Sequence, residues 1–194
     1  MFCIGKKYFV SLDDYEYRYF EVNPKDLIIS FLREFLSKIP KDETSKYTFL
    51  GNESYENDDF NSALESYSQA LEFNQDNLEA LFFRSMCFIK IEKYEDAVSD
   101  LTRLIEIKPD FIIAYFYRGT ARASIQTYNH LKAAIIDFST VIKNSDTDGV
   151  SYFIRAYCHL LLKQERSAKL DWLKAKCLGV TKENEENWKK DYFD

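Results

Sequence analysis

The sequence predicts an all-α fold built from four copies of one repeating unit. Alanines spaced by 34, 37 and 34 residues each open a similar phrase, as in Ala63-Leu-Glu-Ser-Tyr67 and Ala168-Lys-Leu-Asp-Trp172. A period near 34 residues is typical of a helix pair that stacks on copies of itself. Glycine and proline are scarce, at five and three in 194 residues, which suits long helical stretches. The repeated alanines are Ala63, Ala97, Ala134 and Ala168.

Each predicted unit consists of a first helix, called helix A, and a second, called helix B. A small residue on helix A meets the alanine early in helix B, so that the two helices can pack closely. A large residue four positions after the alanine fills the space beside this contact. The small residues are Gly51, Ser85, Gly119 and Ala156, and the predicted units are 44–77, 78–111, 112–148 and 149–182.

The third unit is three residues longer than its neighbours. We expect this extra length between its two helices, around residues 124–131. Insertions in repeat proteins map to loops on one face, which is often a binding face. The alternative is a slightly longer turn without a role.

The pattern resembles that of the tetratricopeptide repeat (TPR) family, over residues 44–182. The resemblance rests on three features: the small residue of helix A, the early alanine of helix B and the large residue four positions later. All three recur at corresponding positions in each of the four units. It implies a right-handed α-solenoid of four TPR helix pairs. Such a stack presents a curved surface and no catalytic cleft.

Residues 1–22 read differently from the repeats. Aromatic and β-branched residues are frequent in 7–12 and 15–22, and two aspartates lie between these runs. This predicts a small β-hairpin or extended segment. A lone hairpin is only marginally stable in water, so we expect it to dock on the repeats, on a second copy or on a partner.

Residues 23–40 are predicted to form an amphipathic capping helix. Asn23 suits the N-cap, Pro24 suits the first helical position, and Pro40 ends the run. We expect this helix to cover the open end of the first unit. The alternative places it in the concave groove, which it would block. Residues 183–194 form a short charged tail.

The charge of the chain argues against two classes of partner. The net charge is −6 and the isoelectric point is near 5.1. Nucleic-acid binding and attachment to an anionic membrane both depend on clustered Lys and Arg. The four cysteines lack metal-ligand spacing and are expected to be reduced, which indicates a cytoplasmic protein. The sequence carries no motif for a cofactor, a metal or catalysis, so we expect no enzyme.

The family resemblance implies that a partner binds to the concave face lined by helix A. This face is predicted to be apolar and aromatic, which suits an amphipathic helix or an extended apolar peptide. The alternative is that a terminal segment of the chain fills it. The predicted groove residues are Asn52, Tyr55, Phe82, Met86, Ile89, Phe116, Thr120, Phe153 and Tyr157, and the same face is predicted to include Glu79, Lys90, Ala123 and Leu160.

One binding mode of TPR domains is excluded by sequence. Some of them grip acidic chaperone tails through a carboxylate clamp, and Asn52 and Arg118 match two of its positions. Thr48 and Ala114 stand where the clamp needs lysines, and Phe83 stands where it needs an asparagine. Without the lysines, most of the charge that attracts a carboxylate is lost.

Three units share an arginine on helix A and an aspartate on helix B. The first unit has neither, since Leu50 and Ser66 stand at these places. Residues that occur and vanish together suggest a contact, and buried charges are normally paired. The alternative is an arginine ladder that binds a ligand. The predicted pairs are Arg84 with Asp100, Arg118 with Asp137 and Arg155 with Asp171.

The leading functional hypothesis is a non-enzymatic interaction module that binds a peptide or helix of a partner protein in the concave groove. A second hypothesis is a small assembly or secretion chaperone, or an inhibitor, that shields an apolar segment of its partner. A third is a structural protein that self-associates as a homodimer through its N-terminal segment.

Overall fold

The computed structural model describes residues 8–12, 16–20 and 42–180. The chain divides into two units, 1–42 and 43–194, which are described separately. In the first, strands β1 (Tyr8–Leu12) and β2 (Glu16–Phe20) form an antiparallel pair, with Tyr8 opposite Phe20. These strands lie where the sequence predicts a hairpin. The predicted capping helix at 23–40 and the charged tail at 183–194 lie outside the described residues.

The second unit is an α-solenoid of helix pairs, as the sequence predicts. Each helix packs mainly on the helix before it and the helix after it, so the stack grows in one direction. The odd-numbered helices are the A helices of the four pairs. The helices are α1 (Glu43–Glu56), α2 (Phe60–Phe73), α3 (Leu78–Lys90), α4 (Tyr94–Ile107), α5 (Ile112–Ile125), α6 (Tyr128–Asn144), α7 (Gly149–Leu161) and α8 (Glu165–Cys177).

The turn between helix A and helix B has the same geometry in all four pairs. One residue in each turn adopts the left-handed backbone conformation, and helix B begins two residues later. This conformation reverses the chain within two or three residues and so brings the two helices side by side. The left-handed residues are Asp58, Glu92, Gln126 and Lys163.

The extra length of the third unit lies inside a helix, so the expected longer turn is wrong. Gln126 and the start of α6 keep the spacing seen in the other turns. Helix α6 has 17 residues, whereas the other B helices have 13 or 14. The side chain of Thr127 accepts a hydrogen bond from the backbone N–H of His130 and caps the added turn. The insertion therefore lengthens helix B at its N-terminus.

Close packing of A on B rests on the small residues that the sequence identifies. A Cβ atom added to Gly51 would lie 2.5 Å from the ring of Tyr67, and one added to Gly119 would lie 3.0 Å from the ring of Phe138. Tyr67 and Phe138 are fully buried. The space freed by each glycine is thus occupied by the large residue of the same unit.

Each arginine of helix A forms a two-pronged ion pair with the aspartate of its own helix B. The donor–acceptor distances are 2.8 and 2.8 Å for Arg84 with Asp100. They are 3.2 and 2.7 Å for Arg118 with Asp137. For Arg155 and Asp171 both are 2.7 Å. The structure therefore brings together all three predicted pairs, and these arginines lie against helix B rather than in the groove.

The same arginines also reach the preceding unit, which the sequence analysis missed. The third nitrogen of each guanidinium donates to a hydroxyl sixteen residues earlier, on the preceding helix B. One guanidinium thus ties three helices together. Among the described residues no helix B precedes the first unit, and this unit carries neither the arginine nor the aspartate. The acceptors are Ser68, Thr102 and Ser139, each five residues after the repeated alanine.

A second arginine strengthens this arrangement in the third unit. Arg122 donates to Asp137 at 2.6 Å, so that two guanidinium groups share one carboxylate. The carboxylate is 1% exposed. Burial lowers the pKa of Arg122, while Asp137 opposes this shift. The carboxylate of Asp137 is therefore the centre of a largely buried cluster of three charged side chains.

Replacing Asp137 with Ala is expected to lower the free energy of unfolding by about 3–5 kcal/mol, because two buried cations lose their partner. Arg118→Ala is expected to cost less, since Arg122 remains paired with Asp137. The control Lys132→Ala removes an exposed cation and should change the free energy by less than about 0.5 kcal/mol. Denaturant unfolding followed by circular dichroism measures all three. Equal losses for Asp137→Ala and Lys132→Ala would contradict the ion-pair account.

The cysteines differ sharply in their surroundings. Cys87 and Cys158 are buried and free, and Cys177 is exposed and free. Burial raises the pKa of Cys87 and of Cys158 to about 12. The reactive thiolate is therefore scarce at both core positions at neutral pH.

In a Cys3→Ser background, a maleimide reagent at neutral pH is expected to label Cys177 rapidly in the folded protein. Cys87 and Cys158 should react only after denaturant is added, because their thiols are buried and protonated. Mass spectrometry of the labelled peptides gives the order of reaction. Cys177→Ser, the matched control, should abolish rapid labelling. Rapid modification of Cys87 in the folded state would show that the core is open.

Candidate functional site

The residues predicted to line the groove divide into two groups. Ile89, Thr120 and Ala123 are buried, so they belong to the packing between helices and not to an accessible surface. This corrects the prediction for three positions. Phe153 is also buried, but its side chain forms part of a pocket wall described below. Six others are half-buried and present part of their surface along the row of A helices: Asn52, Tyr55, Phe82, Met86, Phe116 and Tyr157.

The aromatic residues of the middle units are held rigidly by one another. Phe82 makes edge-to-face contacts with Phe83, Phe111 and Tyr117, at centroid distances of 5.4 to 5.7 Å. Phe116 contacts Tyr117 at 5.4 Å and the buried Phe138 at 6.0 Å. Phe82 and Phe116 therefore serve the core as well as the groove, and truncating Phe116 would disturb both.

The end of the groove nearest the first unit is polar and already hydrogen-bonded. The side-chain amide of Asn52 donates to Glu79 Oε1 at 2.8 Å, and its oxygen accepts from the hydroxyl of Tyr67 at 2.8 Å. Glu79 is exposed and places a negative charge beside this amide. An acidic ligand would therefore meet repulsion here.

The carboxylate clamp is absent from the geometry as well as from the sequence. Of its two matching residues, Asn52 is hydrogen-bonded within the chain, and Arg118 is bound to Asp137 and Thr102. Thr48 is buried and donates to the carbonyl of Thr44 at 2.8 Å. The structure thus offers an acidic tail no convergent set of cations in the first three units.

The fourth unit contains an apolar pocket of about 400 Å³ between α7 and α8. Its rim includes Leu160, whose side chain is 56% exposed. The corresponding surface of the third unit is covered by α7, which packs Phe153, Ile154 and Cys158 against it. The pocket is lined by Phe153, Ala156, Tyr157, Leu160, Glu165, Ala168, Lys169 and Trp172.

Sequence reasoning found one wall of this pocket and missed the other. Phe153, Tyr157 and Leu160 follow from the helix A pattern. Trp172 was assigned only to filling space within its unit, and it does contact Phe153 at a centroid distance of 5.4 Å. Trp172 lines the pocket because no helix among the described residues packs over it. The pattern of a single unit does not show whether such a helix follows.

The histidines and the metal-binding side chains are dispersed over the described residues. Within 42–180 no three side chains of the metal-binding types come together. His130 Nδ1 lies 2.7 Å from the Thr127 hydroxyl at a helix start, and His159 Nδ1 lies 2.6 Å from the side chain of Gln164. No helix in the part of the chain that the structure describes is long and apolar enough to cross a bilayer.

Comparison with known proteins identifies the repeat. The sequence pattern of the tetratricopeptide repeat family matches residues 78–111, which is the second unit. Human serine/threonine-protein phosphatase 5 is 29% identical over 114 residues, which are 59% of this chain and 22% of the phosphatase. The STIP1 homologue of Dictyostelium discoideum is 35% identical over 79 residues, which are 41% of this chain and 14% of that protein.

A third relative is the Hsp70-Hsp90 organizing protein of Triticum aestivum, 30% identical over 82 residues, covering 39% of this chain and 14% of that protein. The chain therefore spans less than a quarter of the length of each of these relatives.

Solved structures share the fold at low identity. YrrB, described as a TPR protein with an unusual peptide-binding site, aligns with a TM-score of 0.68 at 18% identity, covering 76% of this chain and 74% of YrrB. A crystal structure of MamA aligns with a TM-score of 0.66 at 20% identity, covering 70% of this chain and 73% of MamA. Residues 78–111 are therefore a tetratricopeptide repeat, and the other helix pairs stack in phase with it as in these solved structures.

Proposed function

We propose that this protein is a non-enzymatic interaction module that binds an apolar peptide or helix of a partner protein in its concave groove. The observation that carries the proposal is the apolar pocket of the fourth unit, which is open at Leu160. The relatives of this chain contain a segment similar to its repeats, and its structural neighbours include TPR proteins. Both findings support an interaction role over a catalytic one.

The chemistry of the pocket favours an aromatic or branched aliphatic anchor. Six of its eight lining residues are apolar or aromatic, and the two charged ones, Glu165 and Lys169, carry opposite charges. Large apolar side chains in well-packed pockets supply most of the binding energy of protein interfaces. The rigid aromatic contacts of Phe82 and Phe116 extend this apolar surface towards the middle units.

The name of one relative, the Hsp70-Hsp90 organizing protein, together with the partial match to the carboxylate clamp, raises an acidic chaperone tail as a competing ligand. The geometry of this chain argues against such a ligand. Asn52 and Arg118 are committed to partners within the chain, and Glu79 adds a negative charge at the polar end of the groove. We infer that the partner segment is apolar rather than acidic.

The proposal is tested by selecting binders from a random-peptide display library with the full chain as bait. Selected peptides should be rich in aromatic and branched aliphatic residues and poor in Asp and Glu. For the strongest peptide, Leu160→Ala is expected to weaken binding by about 1 kcal/mol or more, measured by calorimetry. The melting temperature should hold, because Leu160 is more than half exposed.

Ile136→Ala is the matched control, because it removes an aliphatic side chain of similar exposure from α6, outside the pocket lining. It should leave peptide affinity unchanged. Selection of acidic peptides, or equal effects of the two substitutions, would count against the apolar groove.

A further inference from the structure

The bonds between successive units follow one rule along the stack. A side chain on each helix A meets a side chain five residues after the repeated alanine of the preceding helix B. Within the chain this contact is polar at every junction, from an arginine nitrogen to a hydroxyl oxygen, at 2.9 to 3.3 Å. The three junctions are Arg84 with Ser68, Arg118 with Thr102, and Arg155 with Ser139.

At the two ends of the stack the same positions are both leucine. Leu50 holds the arginine position in the first unit, and Leu173 holds the hydroxyl position in the fourth. Leu50 is 39% exposed and Leu173 is 49% exposed. Exposed neighbours extend each apolar surface, with Phe49 beside Leu50 and Leu170 beside Leu173. At both ends of the described stack, leucine thus replaces the polar residue that forms the internal junctions.

The end units also carry opposite charges. Residues 43–77 contain eight acidic residues and one basic residue, a net charge of −7. Residues 149–180 contain two acidic and six basic residues, a net charge of +4. The segments outside the described residues do not reverse either sign, since residues 1–41 carry +1 and residues 181–194 carry −2. Between molecules, these opposite charges favour contact of a fourth unit with a first unit over contact between two like units.

We propose that copies of this chain associate head to tail, with the fourth unit of one copy stacked on the first unit of the next. This proposal places a second copy, and not the capping helix expected at 23–40, against the end of the first unit that carries Leu50. Leu173 of one copy then lies against Leu50 of its neighbour, in place of the hydroxyl and arginine within the chain. The apolar pocket of the fourth unit is the surface that α7 covers one unit earlier, so the following copy covers it at this junction.

This contact joins two different surfaces and therefore does not close on itself in pairs. Association should grow with protein concentration beyond a dimer. It should weaken as salt is raised, because part of the attraction comes from the opposed charges of the end units.

The test is sedimentation velocity of the full chain without any partner, over a range of protein and salt concentrations. Leu173→Glu and Leu50→Lys should each weaken self-association at least about tenfold, because each places a charge in an apolar contact. An equimolar mixture of the two variants should recover association, since Glu in the fourth unit of one copy then meets Lys in the first unit of the other. Neither position lines the pocket, so each variant keeps the residues of the proposed peptide site, and its peptide affinity can be measured while self-association is weakened.

Ile136→Glu and Ile136→Lys are the matched controls and should sediment as the wild type does, because this exposed residue lies on the third unit, away from both ends. Circular dichroism confirms that each variant is folded. A wild type that stays monomeric at every concentration overturns the proposal. So does a mixture that fails to recover, which would indicate a symmetric contact between like ends.

Discussion

In three of the four units, one guanidinium group fixes how the solenoid stacks. It binds the carboxylate of its own helix B and the hydroxyl of the helix B before it, so that the order and spacing of three helices depend on a single side chain. In these units a small residue, Ser85, Gly119 or Ala156, lets helix A approach helix B closely. A buried charge tolerates few arrangements, and a junction held in this way has little freedom to slide. The geometry of the groove and of its pocket follows from this constraint.

The repeat period made most of the fold predictable from sequence. Four alanines in phase located every helix pair, because close packing allows only a small residue at that crossing. The joint absence of arginine and aspartate from the first unit was enough to predict the pairs, since a buried charge requires a partner. The extra turn of α6 was not predictable, because three added residues are compatible with a loop or with most of one helical turn. The hydroxyl acceptors escaped notice because serine and threonine are common and rarely imply a specific bond.

The candidate site was only partly predictable, for a different reason. A position on the concave side of helix A, such as Thr120, can be completely buried by neighbouring helices, and sequence does not show how close those neighbours come. Phe116 likewise faces the groove but is shared with the core through Phe138. Trp172 became part of a pocket wall because no described helix covers it, which is a property of its place at the end of the stack and not of its own unit. Exposure in a repeat protein is set by the neighbours of each unit.

The pocket of the fourth unit, which no described helix covers, has a consequence for the stoichiometry of binding. In a row of copies joined head to tail, every pocket but the last is sealed by the next copy, so the number of open sites equals the number of rows and not the number of chains. Assembly would then act as a storage form with low binding capacity, and dilution would release capacity without any change in the fold. A partner that occupied the pocket would in turn end the row at that point. The same apolar surface would thus act both as a receptor and as a regulator of length.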